Sequence, residues 1–309
     1  MSAKSKQGMT LAMTGATGFL GKRTLMAALE QGFAVRALTR RPQEDQPGVT
    51  WVAGALDHPD ALDALVQGAD CVLHIAGVVN APDRAGFVAG NITGTANMLA
   101  AAQKAGTTHF IHVSSLAARE PELSIYGWSK AEAEQQVIES DLPWSVIRPP
   151  GIYGPGDTEM LDMFRMAKRG LMLLPPKGRV SIIHADDMAR LLLAVPVTGP
   201  TQAIWEADDG VENGWSHKGF AHAIADAVGR SARTVAAPAA MLNLAARGDR
   251  LLRRDKAKLT PDRARYLSHP DWTVDAARRP PEGLWTPQIA TPEGLKQTAR
   301  WYREAGWLK

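Results

Sequence analysis

The stretch Thr14-Gly15-Ala16-Thr17-Gly18-Phe19-Leu20-Gly21 follows a short apolar run at 9–13. A run of that length, closed by a glycine turn, reads as a buried strand. Gly15 permits a tight turn, Gly18 lets the backbone approach a pyrophosphate, and Gly21 lets a helix pack closely on the strand. A helix at about 22–31 then aims its first N–H groups at the phosphates. Glycine-rich corners are common, so the pattern gains its meaning from the second strand expected at 34–38.

The end of that second strand bears on the cofactor. An NAD site usually places an acidic residue about twenty positions beyond the glycines, on the ribose 2′-hydroxyl. Thr39 stands there instead, followed by Arg40 and Arg41. Guanidinium forks suit a 2′-phosphate, which favours NADP, with NAD as the second candidate. The bland alternative is two solvated arginines on a surface loop.

Strand and helix patterns keep alternating. Strands are expected at 49–53, 71–76, 109–113 and 144–147, and helices at 59–67, 91–105 and 129–139. The nearly unbroken apolar run 71–76 fits a parallel sheet covered on both faces. The alternation predicts the α/β class, a doubly wound parallel sheet of Rossmann type. Past Pro149 the order weakens, and prolines and glycines at 149–151 and 154–156 predict a rigid loop. Strands at 180–183 and 203–207 and helices at 158–168, 187–195, 217–228, 242–254 and 292–307 follow. Residues 9–150 therefore read as a dinucleotide-binding domain. Residues 151–309 read as a smaller, discontinuous substrate lobe, with some segments returning to the main sheet.

With 309 residues the chain has length for a sizeable core, and a net charge of +3 gives no argument for nucleic acid. The single cysteine, Cys71, enters an apolar strand and reads as a small buried hydrophobe. Residues 1–8 lack the apolar centre of a secretory signal and no run approaches spanning length, so the expected location is the cytoplasm. Cations between Arg247 and Arg265 interleave with Asp249, Asp255 and Asp262. A solvated helix face is the default there, a membrane- or phosphate-attracting patch the minority alternative.

Hydride transfer needs a group that gives or takes the hydroxyl proton. Tyr126 and Lys130, at i and i+4, share one helix face, and an ammonium beside a phenol is expected to lower the phenol's pKa. Lys130 is also placed to bond a nicotinamide ribose. Ser115, just past the strand ending at Val113, is placed to donate to a substrate oxygen where negative charge develops. Behind a Rossmann start, this trio reads as catalytic.

At this point the chain resembles an extended short-chain dehydrogenase/reductase, of the group labelled NAD-dependent epimerase/dehydratase. The resemblance runs through TGATGFLG at 14–21, HIAG at 74–77, NITGTANML at 91–99, VSSLAAREP at 113–121, YGWSK at 126–130, RPPGIYGPGD at 148–157, IIHADD at 182–187 and TPEGLKQTARWYREAGWL at 291–308. It implies that Gly15, Thr17, Gly18, Phe19 and Leu20 line the pyrophosphate and that Arg40, with Arg41, takes the 2′-phosphate. Leu56 and Asp57 would flank the adenine, and Ala76 and Gly77 would lie beneath the cofactor. Val113 would touch the nicotinamide side, and Pro149, Gly151 and Ile152 would close over it. Ser115, Tyr126 and Lys130 become the catalytic triad, and Asn91 resembles the family's structural asparagine, a role compatible with a helix cap.

Two departures narrow the reading. Ten residues separate Ser115 from Tyr126, too few for the loop that sugar-nucleotide enzymes insert there, and Leu116-Ala117-Ala118 replaces the acidic pair of dehydratases. What remains is similar to dihydroflavonol-reductase-like and hydroxysteroid-dehydrogenase-like members, which act on small, fairly apolar carbonyls and alcohols. A sugar-nucleotide epimerase or dehydratase with held NAD is the runner-up. A non-catalytic nucleotide-binding subunit of a larger complex is the reading from another class. His74 and His112 read as core or rim histidines, and His184, Asp186 and Asp187 as helix capping rather than metal ligands. Met160, Met163, Phe164 and Met166 fit a pocket lining and a helix core equally. The expected partner is a small molecule; no membrane span is expected, and a homodimer stays open.

Overall fold

The computed structural model describes residues 8–238, 240, 241, 244 and 261–309. The first half of the chain runs β1 (Thr10–Thr14), α1 (Phe19–Glu30), β2 (Ala34–Thr39), β3 (Val49–Ala53), α2 (Pro59–Val66), β4 (Cys71–His74), α3 (Arg84–Phe87), α4 (Gly94–Lys104), β5 (Phe110–Val113), α5 (Ile125–Ile138) and β6 (Trp144–Arg148). The second half runs β7 (Gly151–Tyr153), α6 (Leu161–Lys168), β8 (Leu171–Leu174), β9 (Arg179–Val180), β10 (Ile182–His184), α7 (Ala185–Thr198), β11 (Ile204–Glu206), β12 (Trp215–Ser216), α8 (His217–Ala227), β13 (Arg233–Ala236) and β14 (Asp271–Trp272). Helices Pro261–Ser268 and Thr291–Glu304 complete the described chain.

Seven strands form one sheet in the order β11-β6-β5-β4-β1-β2-β3, and each neighbouring pair is parallel. This is a Rossmann-like doubly wound sheet flanked by helices. The strand order reverses between β1 and β4, so a crevice opens at their C-terminal ends, where such sheets take their ligands. Both faces are covered: Leu25 and Ala28 of α1 and Leu191 and Leu192 of α7 pack on one side. Leu62 and Leu65 of α2 and Met98 of α4 pack on the other. Cys71 is a free, buried thiol, and burial pushes its pKa up.

Several element boundaries differ from the sequence expectation, some for local and some for tertiary reasons. α1 starts at Phe19, not at 22, because Gly18 N–H folds back onto Gly15 O at 2.9 Å and Gly18 O accepts from Lys22. The helix expected at 91–105 begins with a π-helical turn, Val88–Thr93, so Asn91 lies inside a helix and does not cap one. α5 starts at Ile125, four residues before the expected 129. Its N-terminus is held by Ser124 Oγ, which accepts from Gly127, and by Asp262 Oδ1, which accepts from Ile125 N–H at 2.9 Å. The helix expected at 158–168 waits until Leu161, because the Asp157 carboxylate takes the N–H groups of Glu159 and Met160. The strand expected at 180–183 breaks into β9 and β10 at Ser181, whose hydroxyl donates to Asp208 at 2.7 Å. The helix expected at 242–254 and the charged run at 247–260 fall almost wholly outside the described residues.

A buried ion network pins the open edge of the sheet. Glu206, on β11 and fully buried, accepts from Arg148 of β6 and Arg119 at 3.3 Å each. Arg148 also forks onto Glu134 of α5 at 2.9 and 2.5 Å. Arg119 donates to Thr273 O at 2.7 Å, and Glu206 accepts Asp275 N–H at 2.8 Å. Glu206→Ala leaves two arginines short of a carboxylate, so a loss of about 3 kcal/mol in chemical denaturation is expected. Wild-type stability would show that the network contributes nothing net.

Candidate active site

Two glycines set the floor of the crevice. Gly15 holds φ +75°, and a Cβ there would stand 2.7 Å from Ala76 N. At Gly21 a Cβ would come within 1.9 Å of Gly15 O, so α1 crosses β1 closer than any side chain allows. α1 begins with no side-chain cap and no acidic residue in its first turn. Its positive dipole end and free N–H groups are left for an anion. Thr17 and Gly18 are exposed at that point and Phe19 is half-buried, while Leu20 is buried. From the far side, Arg23 holds Asp186 at 2.9 and 3.2 Å and Pro155 O at 2.7 Å. This draws the glycine-rich loop toward the cradle, where a Cβ on Gly156 would lie 3.9 Å from Phe19. The cradle fits a dinucleotide pyrophosphate.

Next along the sheet edge, Thr39 Oγ1 donates to Arg41 O at 2.7 Å and turns the chain, leaving Arg40 and Arg41 exposed. Leu56 and exposed Asp57 follow β3, the strand paired with β2. Asn97 donates to Leu56 O at 2.8 Å, fixing that loop on α4. Both groups thus stand beyond the C-terminal ends of the adjacent strands β2 and β3.

The other flank brings Ser115, Tyr126 and Lys130 together. Lys130 is buried, and its Nζ donates to Val113 O at 2.8 Å. The same Nζ would be 3.6 Å from a Cβ on Gly77. Burial lowers its pKa to about 8, against the pull of Glu134. Ser115 Oγ accepts from Ala117 N–H, and the Ser115 side chain stands close enough to Tyr126 to act on its pKa. Burial raises the Tyr126 pKa, and Ser115 offsets this in part. This corrects the expectation of a phenol lowered by its lysine: desolvation sets the direction of the shift.

Residues that sequence reasoning left in the background hold this trio in place. Asn91 accepts from Val78 N–H at 2.6 Å and donates to Val78 O at 3.0 Å and to Ser129 Oγ at 2.8 Å. Ser129 in turn donates to Tyr126 O at 2.8 Å. One amide therefore ties the Gly77–Val78 floor to the helix bearing Tyr126. Gly127 is the other: a Cβ there would meet Ala117 O at 2.7 Å, so the first turn of α5 lies directly on the turn after Ser115. The signal was a glycine beside the tyrosine, unreadable without knowing what lies opposite.

Around Tyr126 the walls are apolar. Phe87 stands 6.3 Å away, ring to ring, and Tyr266 is close enough that Tyr126, after burial, pushes its pKa up. Met160 Cε would touch a Cβ on Gly151 at 3.3 Å, and Val79, beyond Gly77, is 61% exposed. Phe164 is core, with Met163 and Met166 packed against it. Pro149 is buried, and its carbonyl accepts from Leu116 N–H, while Gly151 and Ile152 pair in β7 with β10.

The remaining candidates are structural. His74 bonds Thr14 and Thr95, stacks on His112 at 5.5 Å, and is held neutral by burial with a pKa of about 3. His184 caps α7 by accepting from Asp186 N–H, and Asp187 binds Arg190 and the N–H groups of Gln288 and Ile289. Among the described residues no three His, Cys, Asp or Glu gather as metal ligands. A cleft of about 450 Å³ lined by Gln31, Arg190, Glu282 and Trp285 lies at the opposite end of α1 from the cradle and serves none of this chemistry.

A family model described as NAD(P)H-binding matches residues 15–195. The chain belongs to this family. It is an NAD(P)-dependent oxidoreductase. Ceramide reductase of Caulobacter vibrioides is 38% identical over 307 residues, covering 96% of each chain. A ketoreductase of Stigmatella aurantiaca, named for 4-hydroxy-2-methyl-3-oxo-4-farnesyl-3,4-dihydroquinoline-1-oxide, is 30% identical over 64% of this chain and 67% of its own. Among solved structures, UDP-glucuronic acid 4-epimerase from Bacillus cereus, in complex with UDP-glucuronic acid and NAD, superposes with a TM-score of 0.73 at 17% identity. It covers 96% of this chain and 100% of that one. At such identity the likeness is one of fold.

Two outcomes are expected of the trio. Tyr126→Phe lowers turnover at least ~100-fold, the scale of a lost general acid, with cofactor affinity unchanged; turnover within threefold of wild type removes it from the chemistry. Lys130 carries a depressed pKa, so between about pH 8 and its ordinary 10.5 the folded protein binds fewer protons there than the unfolded chain. Its contribution to stability therefore rises with pH across that window. Urea titrations without cofactor will show the slope in wild type and lose it in Lys130→Met.

Proposed function

We propose that the enzyme is an NADP-preferring reductase, converting the carbonyl of a long-chain, fairly apolar compound to its alcohol. Ser115, Tyr126 and Lys130 are the catalytic set. The carrying observation is the environment of Tyr126: a buried phenol close to Ser115, with Phe87 and Tyr266 beside it.

A reduced nicotinamide, when bound, supplies hydride to the carbonyl carbon. The chain's own residues do the rest. Tyr126 gives its proton to the substrate oxygen, and Ser115 donates a hydrogen bond to that oxygen as charge develops. Tyr126 holds its proton at neutral pH, as an ordinary phenol does, and is the acid of the set. Lys130, fixed through Val113 O, places its charge where the phenolate forms. Gly15, Thr17, Gly18, Phe19 and Leu20 would hold the pyrophosphate, Leu56 and Asp57 the adenine, and Arg40 and Arg41 the 2′-phosphate. Ala76, Gly77, Val113, Pro149, Gly151 and Ile152 would frame the nicotinamide. The name of the ceramide reductase supports a lipid substrate, and that of the ketoreductase an oxo group on a molecule bearing a farnesyl chain.

Replacing Arg40 and Arg41 with Ala will weaken NADPH by ~1.5–3 kcal/mol and NADH much less, through the lost charge-assisted contact. Equal losses for both cofactors would leave the arginines as surface residues. For the substrate, NADPH oxidation should be followed with long-chain 3-oxo amides, short ketones and diphosphate sugars. Preference for the long-chain ketone is expected, since each buried Å² of carbon is worth ~25 cal/mol. Epimerisation of a diphosphate sugar without net NADPH consumption would overturn the assignment in favour of the epimerase reading. Nucleotide binding with no turnover of any compound would favour a non-catalytic subunit.

A further inference from the structure

The second half of the chain carries an apolar surface that the reaction does not use. β8 and β13 pair in parallel, with Leu171 beside Arg233 and Leu173 beside Val235. Side chains alternate along a strand. Met172 and Leu174 turn inward to a core holding Phe164, Phe220 and Ile224, while Leu171, Leu173 and Val235 are 48%, 55% and 45% exposed. Met241 and Leu244, three residues apart in helical backbone a few residues on, are 51% and 70% exposed. Of the seven large hydrophobics exposed among the described residues, five thus fall in and just after this two-stranded ribbon. Exposed apolar residues are ordinarily scattered singly, and a contiguous group marks a contact surface.

The charge around the ribbon identifies the contact. From Met163 to Ala185 the chain has Arg165, Lys168, Arg169, Lys177 and Arg179 and no Asp or Glu. From Ala227 to Leu244 it has Arg230 and Arg233 and again no acid. This occurs in a protein of net charge only +3. Arg169, Lys177, Arg230 and Arg233 are exposed on or beside the two strands. A second copy of the chain fits poorly here, because a two-fold contact would face these cations with themselves. An anionic lipid surface fits both features, taking the leucines into its interface and the cations among its headgroups.

We propose that the β8–β13 ribbon, with Met241 and Leu244, docks the enzyme on an anionic bilayer. No described helix is long and apolar enough to cross a membrane, so the contact is one of resting on the surface. α6 leads from Met160, against Gly151, to the first strand of the ribbon. Its eight residues span about 12 Å, which brings the mouth of the site close to the lipid.

The test uses the full chain and needs no substrate. It is mixed with vesicles of phosphatidylcholine, with or without phosphatidylglycerol, and sedimented. Cosedimentation with the anionic vesicles is expected, weakening with added salt. Leu173→Glu with Val235→Glu, and separately Arg230→Glu with Arg233→Glu, should each reduce binding at least about tenfold, with NADPH affinity unchanged as the check on folding. No binding to anionic vesicles, equal binding to neutral ones, or variants that bind like wild type would each overturn the proposal. So would a dimer in solution that the same substitutions dissociate, which would assign the face to a second copy. Because binding is read without turnover, its failure leaves carbonyl reduction standing, and failed reduction leaves docking standing.

Discussion

The arrangement of the site depends on one fully buried carboxylate. Glu206 closes the open edge of the sheet between two arginines, and each arginine reaches a different part of the active site. Arg148 carries the contact to Glu134, one helical turn beyond Lys130 on α5. Arg119 carries it to the turn behind Ser115 and to the Asp271–Thr273 segment of the second half. A charge buried in this way is costly unless fully paired, so the pieces have to arrive together. The helix bearing Tyr126 and Lys130, the turn after Ser115 and the Asp271–Thr273 segment are thereby coupled to the same sheet edge.

Within that frame the chemistry is set by desolvation more than by Coulomb attraction. Lys130 and Tyr126 are adjacent groups of the kind that lower a phenol's pKa in water. Here both are carried out of water: the lysine loses basicity, and the phenol keeps its proton more tightly. The stacked His74 and His112 beneath them stay neutral for the same reason, with Lys130 adding to the effect. Ser115 opposes the shift of the phenol. The result is a buried phenol that holds its proton and a buried lysine of lowered basicity on one helix.

The second half of the chain reaches back into the first at particular points. Asp262 holds the N-terminus of α5 from its own helix, Tyr266 stands close to Tyr126, and Thr273 O accepts from Arg119. β11 joins the main sheet beside β6. The second half is thus an assembly of short pieces, several of which are tied to the first half.

The amino-acid sequence alone determined the parallel sheet and the glycine turn after β1, and it put Tyr126 four residues before Lys130 on one helix, because each rests on local periodicity or fixed spacing. Glycines at 15, 18 and 21 and a tyrosine four residues before a lysine keep their geometry wherever the fold carries them. Only the tertiary structure decided that Asp262, from 137 residues away, takes the first N–H of α5 beside the local cap Ser124. The same holds for Asn91 as a tie between floor and helix, for the direction of the Tyr126 shift, and for the five short strands at β7, β8, β12, β13 and β14 that no sequence period announced. A cap, a desolvation or a two-residue pairing depends on what stands opposite, and that is a property of the packed chain.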